Sequence, residues 1–240
     1  MTRRDIIPIN IHEEHKNHGS NLKDFILGWQ DGLVNVLGVI LGVAAATNDI
    51  KIVTIAGLAA TFAESISMGA VAFTSSKAAR DYYKKEKERE EKEIERMPEK
   101  EKEEVRRIYY NKGFRGKELE NIVKKLTSDK EVWIETMMSE ELRLFGEEYE
   151  NPLKDGLIVG FSAVFGSFIP LLPFFFTNVK TGIILSLAIS IISLFIAGMV
   201  KAKITIGNIF KEGFEMAAIG TLSALAGYGI GVLLGATYVG

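Results

Sequence analysis

The chain has 240 residues, a formal net charge of −2, 47% hydrophobic and 25% charged residues, and no cysteine. Near-neutral charge excludes a surface field strong enough to hold nucleic acid, and the missing thiols exclude disulfides and thiolate metal sites. The charges are segregated: 19 Lys and Arg and 21 Asp and Glu fall between Lys77 and Glu150, which leaves the flanking sequence strongly apolar.

Residues 1–24, MTRRDIIPINIHEEHKNHGSNLKD, read as a polar tail without the apolar core of a cleavable leader, so the first apolar stretch is expected to remain as a span. His12, His15 and His18 recur at intervals of three. They are expected to lie in a solvated tail, although their spacing would also suit a metal.

Residues 25–46 and 52–73 are the first two apolar runs. Each holds the ~20 mostly apolar residues that cross about 30 Å of hydrocarbon as a helix. Each also carries an acid, Asp31 and Glu64. A carboxylate at mid-membrane costs about 2.5–3.5 kcal/mol on insertion scales, so such residues mark pathways for ions or protons. Asp31, near its helix end, also fits an interfacial cap. Asn35 lies one turn beyond Asp31 and adds a neutral oxygen, while Glu64 and Met68 are four apart and share a face.

The charged insert, 77–150, reads as helices. KAARDYYKKEKEREEKEIER continues the second span without a breaker. Pro98 suits the first turn of a new helix that Gly113 closes, KELENIVKKL forms a short third, and Ser128 with Glu131 resembles a capping box before DKEVWIETMMSEELRLF. The apolar positions, Ile94, Val105, Ile108, Tyr109, Leu119, Ile122, Val123, Leu126, Val132, Trp133, Ile134, Met137, Leu142 and Leu144, supply a sparse core for a small bundle. Glu90 and Glu93, Glu101 and Glu104, and Met137 and Glu141 are pairs at helical spacing. Converging, they would make an oxygen-rich pocket with a thioether, suited to Fe(II) or Mn(II) rather than zinc. In so acidic a segment the same spacing also fits a solvated, salt-bridged face.

Residues 156–177, 181–200 and 213–234 are three further spans, the first carrying Pro170 and Pro173, which should kink or end it. Gly28 and Gly32, Gly38 and Gly42, and Gly227, Gly231 and Gly235 repeat at four-residue spacing and mark helix contact faces. The chain thus reads as an all-α polytopic membrane protein, with a tail (1–24), spans one and two (25–76), the helical insert (77–150) and spans three to five (151–240). Lys23, Lys154, Lys201, Lys203 and Lys211 share one side with the insert, so positive-inside bias puts the N-terminus and insert in the cytoplasm and the C-terminus on the far side. Plasma and vacuole-type membranes both remain open.

The ordered motifs GxxDGL (Gly28, Asp31, Gly32, Leu33), AGL…SMG (Ala56, Gly57, Leu58, Ser67, Met68, Gly69), W…MMxxE (Trp133, Met137, Met138, Glu141) and PLLPFF from Pro170 resemble the vacuolar iron transporter family from about Leu27 onward. The resemblance implies a homodimer of five-span subunits that moves Fe(II), and Mn(II) with it, out of the cytoplasm against protons. It implies no permanently bound cofactor and no enzymatic activity. It carries the insert ligands onto Glu90, Glu93, Glu101, Glu104, Met137 and Glu141, and the pathway onto Asp31 and Met68. The family's second-span glutamate falls on Ala60, where this chain instead has Glu64 one turn later. A membrane-tethered metal sensor or store is the alternative, and intramembrane acids weigh against it because an anchor gains nothing from buried charge. A ferritin-like oxidase needs histidine in its bundle, and the insert has none.

Overall fold

A computed structural model describes residues 15–146, 151–205 and 207–238. Among them are eight α-helices: α1 (His15–Thr47), α2 (Ile50–Arg96), α3 (Pro98–Asn111), α4 (Gly116–Leu126), α5 (Lys130–Thr136), α6 (Pro152–Leu171), α7 (Val179–Ile204) and α8 (Ile209–Tyr238). Five are long and apolar enough to cross a membrane, within Asn21–Thr47, Ile50–Arg96, Pro152–Phe175, Val179–Lys203 and Ile209–Gly235. The chain forms two compact units, one made of α1, α2 as far as Ala72 and α6 to α8, the other of Phe73–Leu153.

Helix α1 begins at His15, inside the stretch expected to be a tail, and takes in His18; His12 lies outside the described residues. Its inner face, Val36, Leu37, Ile40, Leu41 and Ala44, is buried with Val53 of α2, Leu171 and Phe174 at the end of α6, and Ala224 of α8. Short polar residues terminate the helices: Asp49 accepts from the Lys51 N–H at 2.8 Å, Asn178 from Thr181 at 3.0 Å, and Asn208 from Phe210 and Lys211 at 3.1 Å. The prolines end the third span. α6 passes Pro170, whose carbonyl accepts from the Ser186 hydroxyl, and tightens into a 3-10 turn over Leu172–Phe175.

The glycine faces are backbone-on-backbone seams. α1 meets α8 with Gly42 against Gly227 and Gly231, and Gly38 against Gly227. It meets α6 with Gly28 against Val159 and Gly32 against Ala163, and Gly69 of α2 lies against Gly160. A Cβ on Gly231 would fall on the Gly42 carbonyl, and no side-chain rotation can relieve that. Gly231→Ala is therefore expected to destabilise the detergent-solubilised protein by about 1–3 kcal/mol, as overpacking does. Gly229→Ala, whose Cβ would meet nothing within 4 Å, serves as the control. Its thermal midpoint should equal or exceed wild type, since Ala is about 0.5–1 kcal/mol better than Gly within a helix; equal losses in both would refute the seam.

The second unit has its own core: Ile94, Val105, Leu119, Val123, Trp133, Ile134, Met137 and Met138, with Tyr83, Tyr109, Phe114, Leu126, Leu142 and Leu144 packed against it. Val132, expected inside, is 41% exposed, and Ile108 and Ile122 are only half-buried. Gly113 (φ 107°) closes α3, and Arg106 ties α3 to α4 through both carboxylate oxygens of Glu120 at 2.8 and 3.1 Å. The cap of α5 is Asp129 rather than Ser128: its carboxylate accepts from Glu131 and Val132, while the Ser128 hydroxyl turns back to the Lys125 carbonyl. Asp129 wins because a carboxylate suits the positive end of the helix better than a hydroxyl already engaged in closing α4.

Candidate metal centres

Within the spans, α1 and α2 meet through an amide. The Asn35 side-chain nitrogen donates to Asp31 at 3.1 Å, one turn away on its own helix, and to Glu64 at 3.0 Å on α2. One neutral donor thus bridges two carboxylates inside apolar helices. Asp31 and Glu64 are half-buried, and Asn35 is exposed on the single chain. Met68, one turn beyond Glu64, is half-buried; Ala60, one turn before it, packs against the α1 core that includes Leu37 and Ile40.

In the second unit, α2 carries Glu90 and Glu93 and the first turns of α3 carry Glu101. One carboxylate oxygen from each lies within 4.8 Å of the others. Glu101 has no exposure and Glu90 only 3%. Neither Glu101 oxygen, nor Oε2 of Glu90, has a hydrogen-bond partner. Ionised carboxylates are ordinarily paired when buried, so orphaned oxygens converging from two helices are suited to receive a cation. Burial, and then repulsion from Glu141, Glu93 and Glu101, pushes the Glu90 carboxyl up to about 7. Burial followed by the charge of Glu104 raises Glu101, and burial followed by Glu104 and Glu93 raises Glu141.

The other expected members stand at different removes. Glu104 is half-buried and holds Lys100 at 3.2 Å. Glu141 is exposed, yet close enough to repel Glu90. Met137 has no exposure and belongs to the hydrophobic core beside Trp133 and Ile134. α5 does not run on through this region as a regular helix. Over Met137–Glu141 it widens into a π-helical turn, in which the Leu142 N–H reaches back five residues to the Met137 carbonyl. Such turns carry one extra residue and redirect the side chains that follow.

Three nearby residues went unnoticed in the sequence. Glu86 is 7% exposed and sits one turn before Glu90. Arg89 reaches Glu93 at 3.0 Å and Glu86 at 3.4 Å, and Lys100 lies 3.8 Å from Glu101. Glu86 carried a signal, its four-residue spacing from Glu90, but acids at nearly every second position hid it.

A family model described as the VIT family matches residues 22–232. Among similar proteins, vacuolar iron transporter 1 of Arabidopsis thaliana is 31% identical over 217 residues, spanning 90% of this chain and 87% of that protein. A vacuolar iron transporter of Plasmodium falciparum (isolate 3D7) is 34% identical over 232 residues, spanning 92% and 85%. Vacuolar iron transporter 2 of Oryza sativa subsp. japonica is 31% identical over 219 residues, spanning 91% and 89%.

Proposed function

The chain belongs to the VIT family, and from that premise we propose that it moves Fe(II), and Mn(II) with it, out of the cytoplasm in exchange for protons. The observation that carries this reading is the bridge from Asp31 through Asn35 to Glu64, two acids and an amide joined across two membrane-length apolar helices. Oxygen donors of this kind take hard or borderline divalent ions. The same carboxylates hold protons when no metal is present, so metal displaces proton on one side and proton displaces metal on the other. The insert captures the ion at Glu90, Glu93 and Glu101, with Glu104, Glu141 and Met137 completing its donors, and passes it on to the spans.

The working form is a homodimer. Asn35 is polar and exposed on the single chain, and exposure of an amide to hydrocarbon is costly, so a second copy covering this face satisfies it. The N-terminus and insert face the cytoplasm and the C-terminus the far side, in keeping with the lysine bias.

The test is Fe(II) uptake into sealed proteoliposomes with and without a pH gradient. Uptake accelerated by an acidic lumen supports the exchange; uptake indifferent to the gradient removes the proton from the scheme. Binding without any uptake would leave the membrane-tethered store. Met137→Leu tests the thioether separately, because it keeps volume and core packing while removing sulfur. Fe(II) affinity should fall about tenfold, ~1.4 kcal/mol, with Mg(II) and Ca(II) little changed. Competition titrations in which every ion shifts alike would make Met137 a packing residue only.

A further inference from the structure

Two basic side chains lie against the acidic cluster of the second unit. The Lys100 ammonium is 3.2 Å from Glu104 and 3.8 Å from the buried Glu101. The Arg89 guanidinium is 3.0 Å from Glu93 and 3.4 Å from the buried Glu86. Several basic residues here tie elements together: Arg106 joins α3 to α4, Lys130 joins α5 to Glu91 and Glu95 of α2, and Lys112 at the end of α3 holds Glu140 of the π turn. Arg89 and Lys100 differ. Each pairs with carboxylates of its own helix, so neither fastens one helix to another.

Both side chains are mostly in solvent, 61% for Arg89 and 59% for Lys100. Exposed pairs of this kind hold weakly and exchange readily with water. The carboxylates behind them are the opposite, buried and with orphaned oxygens.

We infer that Arg89 and Lys100 are resident counter-ions of the cluster, which an arriving divalent cation displaces and which release it by returning. The inference rests on the reading of Glu90, Glu93 and Glu101 as metal donors. Between loads the Lys100 ammonium stands beside Glu104 and Glu101 and the Arg89 guanidinium beside Glu93; both offset part of the repulsion among the buried carboxylates and turn outward on their long stems when metal enters. Their positive charge opposes the metal, so the site binds less tightly than its carboxylates alone would. For a transporter that weakening is useful, because an ion held too firmly is not handed on.

The experiment uses the full-length protein in detergent and Mn(II) alone, with free Mn(II) read from its paramagnetic resonance. Four proteins are compared: wild type, the quadruple Glu90→Gln, Glu93→Gln, Glu101→Gln and Glu104→Gln variant, the neutral pair Arg89→Gln with Lys100→Gln, and the charge-keeping pair Arg89→Lys with Lys100→Arg. Ions bound by wild type beyond the quadruple variant are those of the cluster. The neutral pair should bind these roughly tenfold more tightly, the scale of two solvent-screened charges near 4 Å, while the charge-keeping pair matches wild type. Residues that merely supported the fold would weaken binding when neutralised. Unchanged or weaker affinity in the neutral pair overturns the counter-ion role and leaves the metal site standing. Identical binding by wild type and the quadruple variant overturns the metal site and this inference with it.

Discussion

Replacing Asp31 by Asn, or Glu64 by Gln, is expected to lower initial Fe(II) uptake into proteoliposomes by at least ~10-fold, about 1.4 kcal/mol in the transport barrier. Each change removes a charge that the proposed exchange of metal for proton requires. Each also retains the shape that the Asn35 amide bridges at 3.1 and 3.0 Å. An amide is cheaper to bury in a span than a carboxylate, so folding should be spared. Rates are normalised to protein that elutes as the wild type does. Moving the acid back one turn, Ala60→Glu with Glu64→Ala, should restore part of the loss. Ala60 packs against the α1 core, so the larger side chain costs some packing there, and restoration is incomplete. Full activity in Glu64→Gln would make that residue structural and leave Asp31 as the one intramembrane acid at work.

The second large effect concerns Glu90, Glu93, Glu101 and Glu104 changed together to Gln. The apo protein should become more stable at neutral pH and lose its response to metal. Glu90, raised to about 7, and Glu101 and Glu141, also raised, bind more protons folded than unfolded. Groups raised in this way leave the native state unpenalised below their unfolded value near 4.5, and stability then falls as pH climbs from there to about 7. The wild-type insert should thus melt several degrees lower at pH 7.5 than at pH 5, given that 1 kcal/mol shifts the midpoint of a small domain by about 4–8 °C. Mn(II) at 100 times its dissociation constant should recover this, since binding to the native state alone adds about 2.7 kcal/mol. The quadruple variant should show only a residual slope, from Glu141, and a flat metal response. Trp133 fluorescence in a Trp29→Phe background reports the transition. An unaltered pH profile in the variant would show that the four carboxylates are not the repelling group.

The spans were readable because twenty apolar residues in a row have few other uses. Glycines 28, 32, 38, 42, 227, 231 and 235 announced close contacts, but spacing cannot name the partner helix. Only the structure pairs Gly42 with Gly227 and Gly28 with Val159. In the insert, Pro98 and Gly113 bound α3 as local chemistry dictates. The choice of Asp129 over Ser128 as a cap depended on what else the serine was bonding. The burial of Glu86, Glu90 and Glu101 was illegible for a different reason. Acids occur at 86, 88, 90, 91, 93 and 95, so every helical phase is filled, and tertiary packing alone decides which of them leave water. The exposed basic partners of that cluster left no signal at all in a segment so rich in both charges.

The π turn over Met137–Glu141 also bears on how this chain is matched to others. One residue more than an α turn holds means that the positions before it and after it keep different helical phases. A relative lacking one residue here would run through as plain α-helix. The side chain facing the same way as Glu141 would then sit one place earlier in its numbering, and an ungapped alignment would assign the donor to the wrong neighbour. Glu140 and Glu141 are adjacent acids, so such a slip would keep the residue type and pass unnoticed in sequence. Glu140, however, is half-buried and paired with Lys112, and Glu141 is the more exposed acid that repels Glu90. Across this turn, proposed donors correspond by backbone geometry, and a single deletion would exchange the acid paired with Lys112 for the one that repels Glu90.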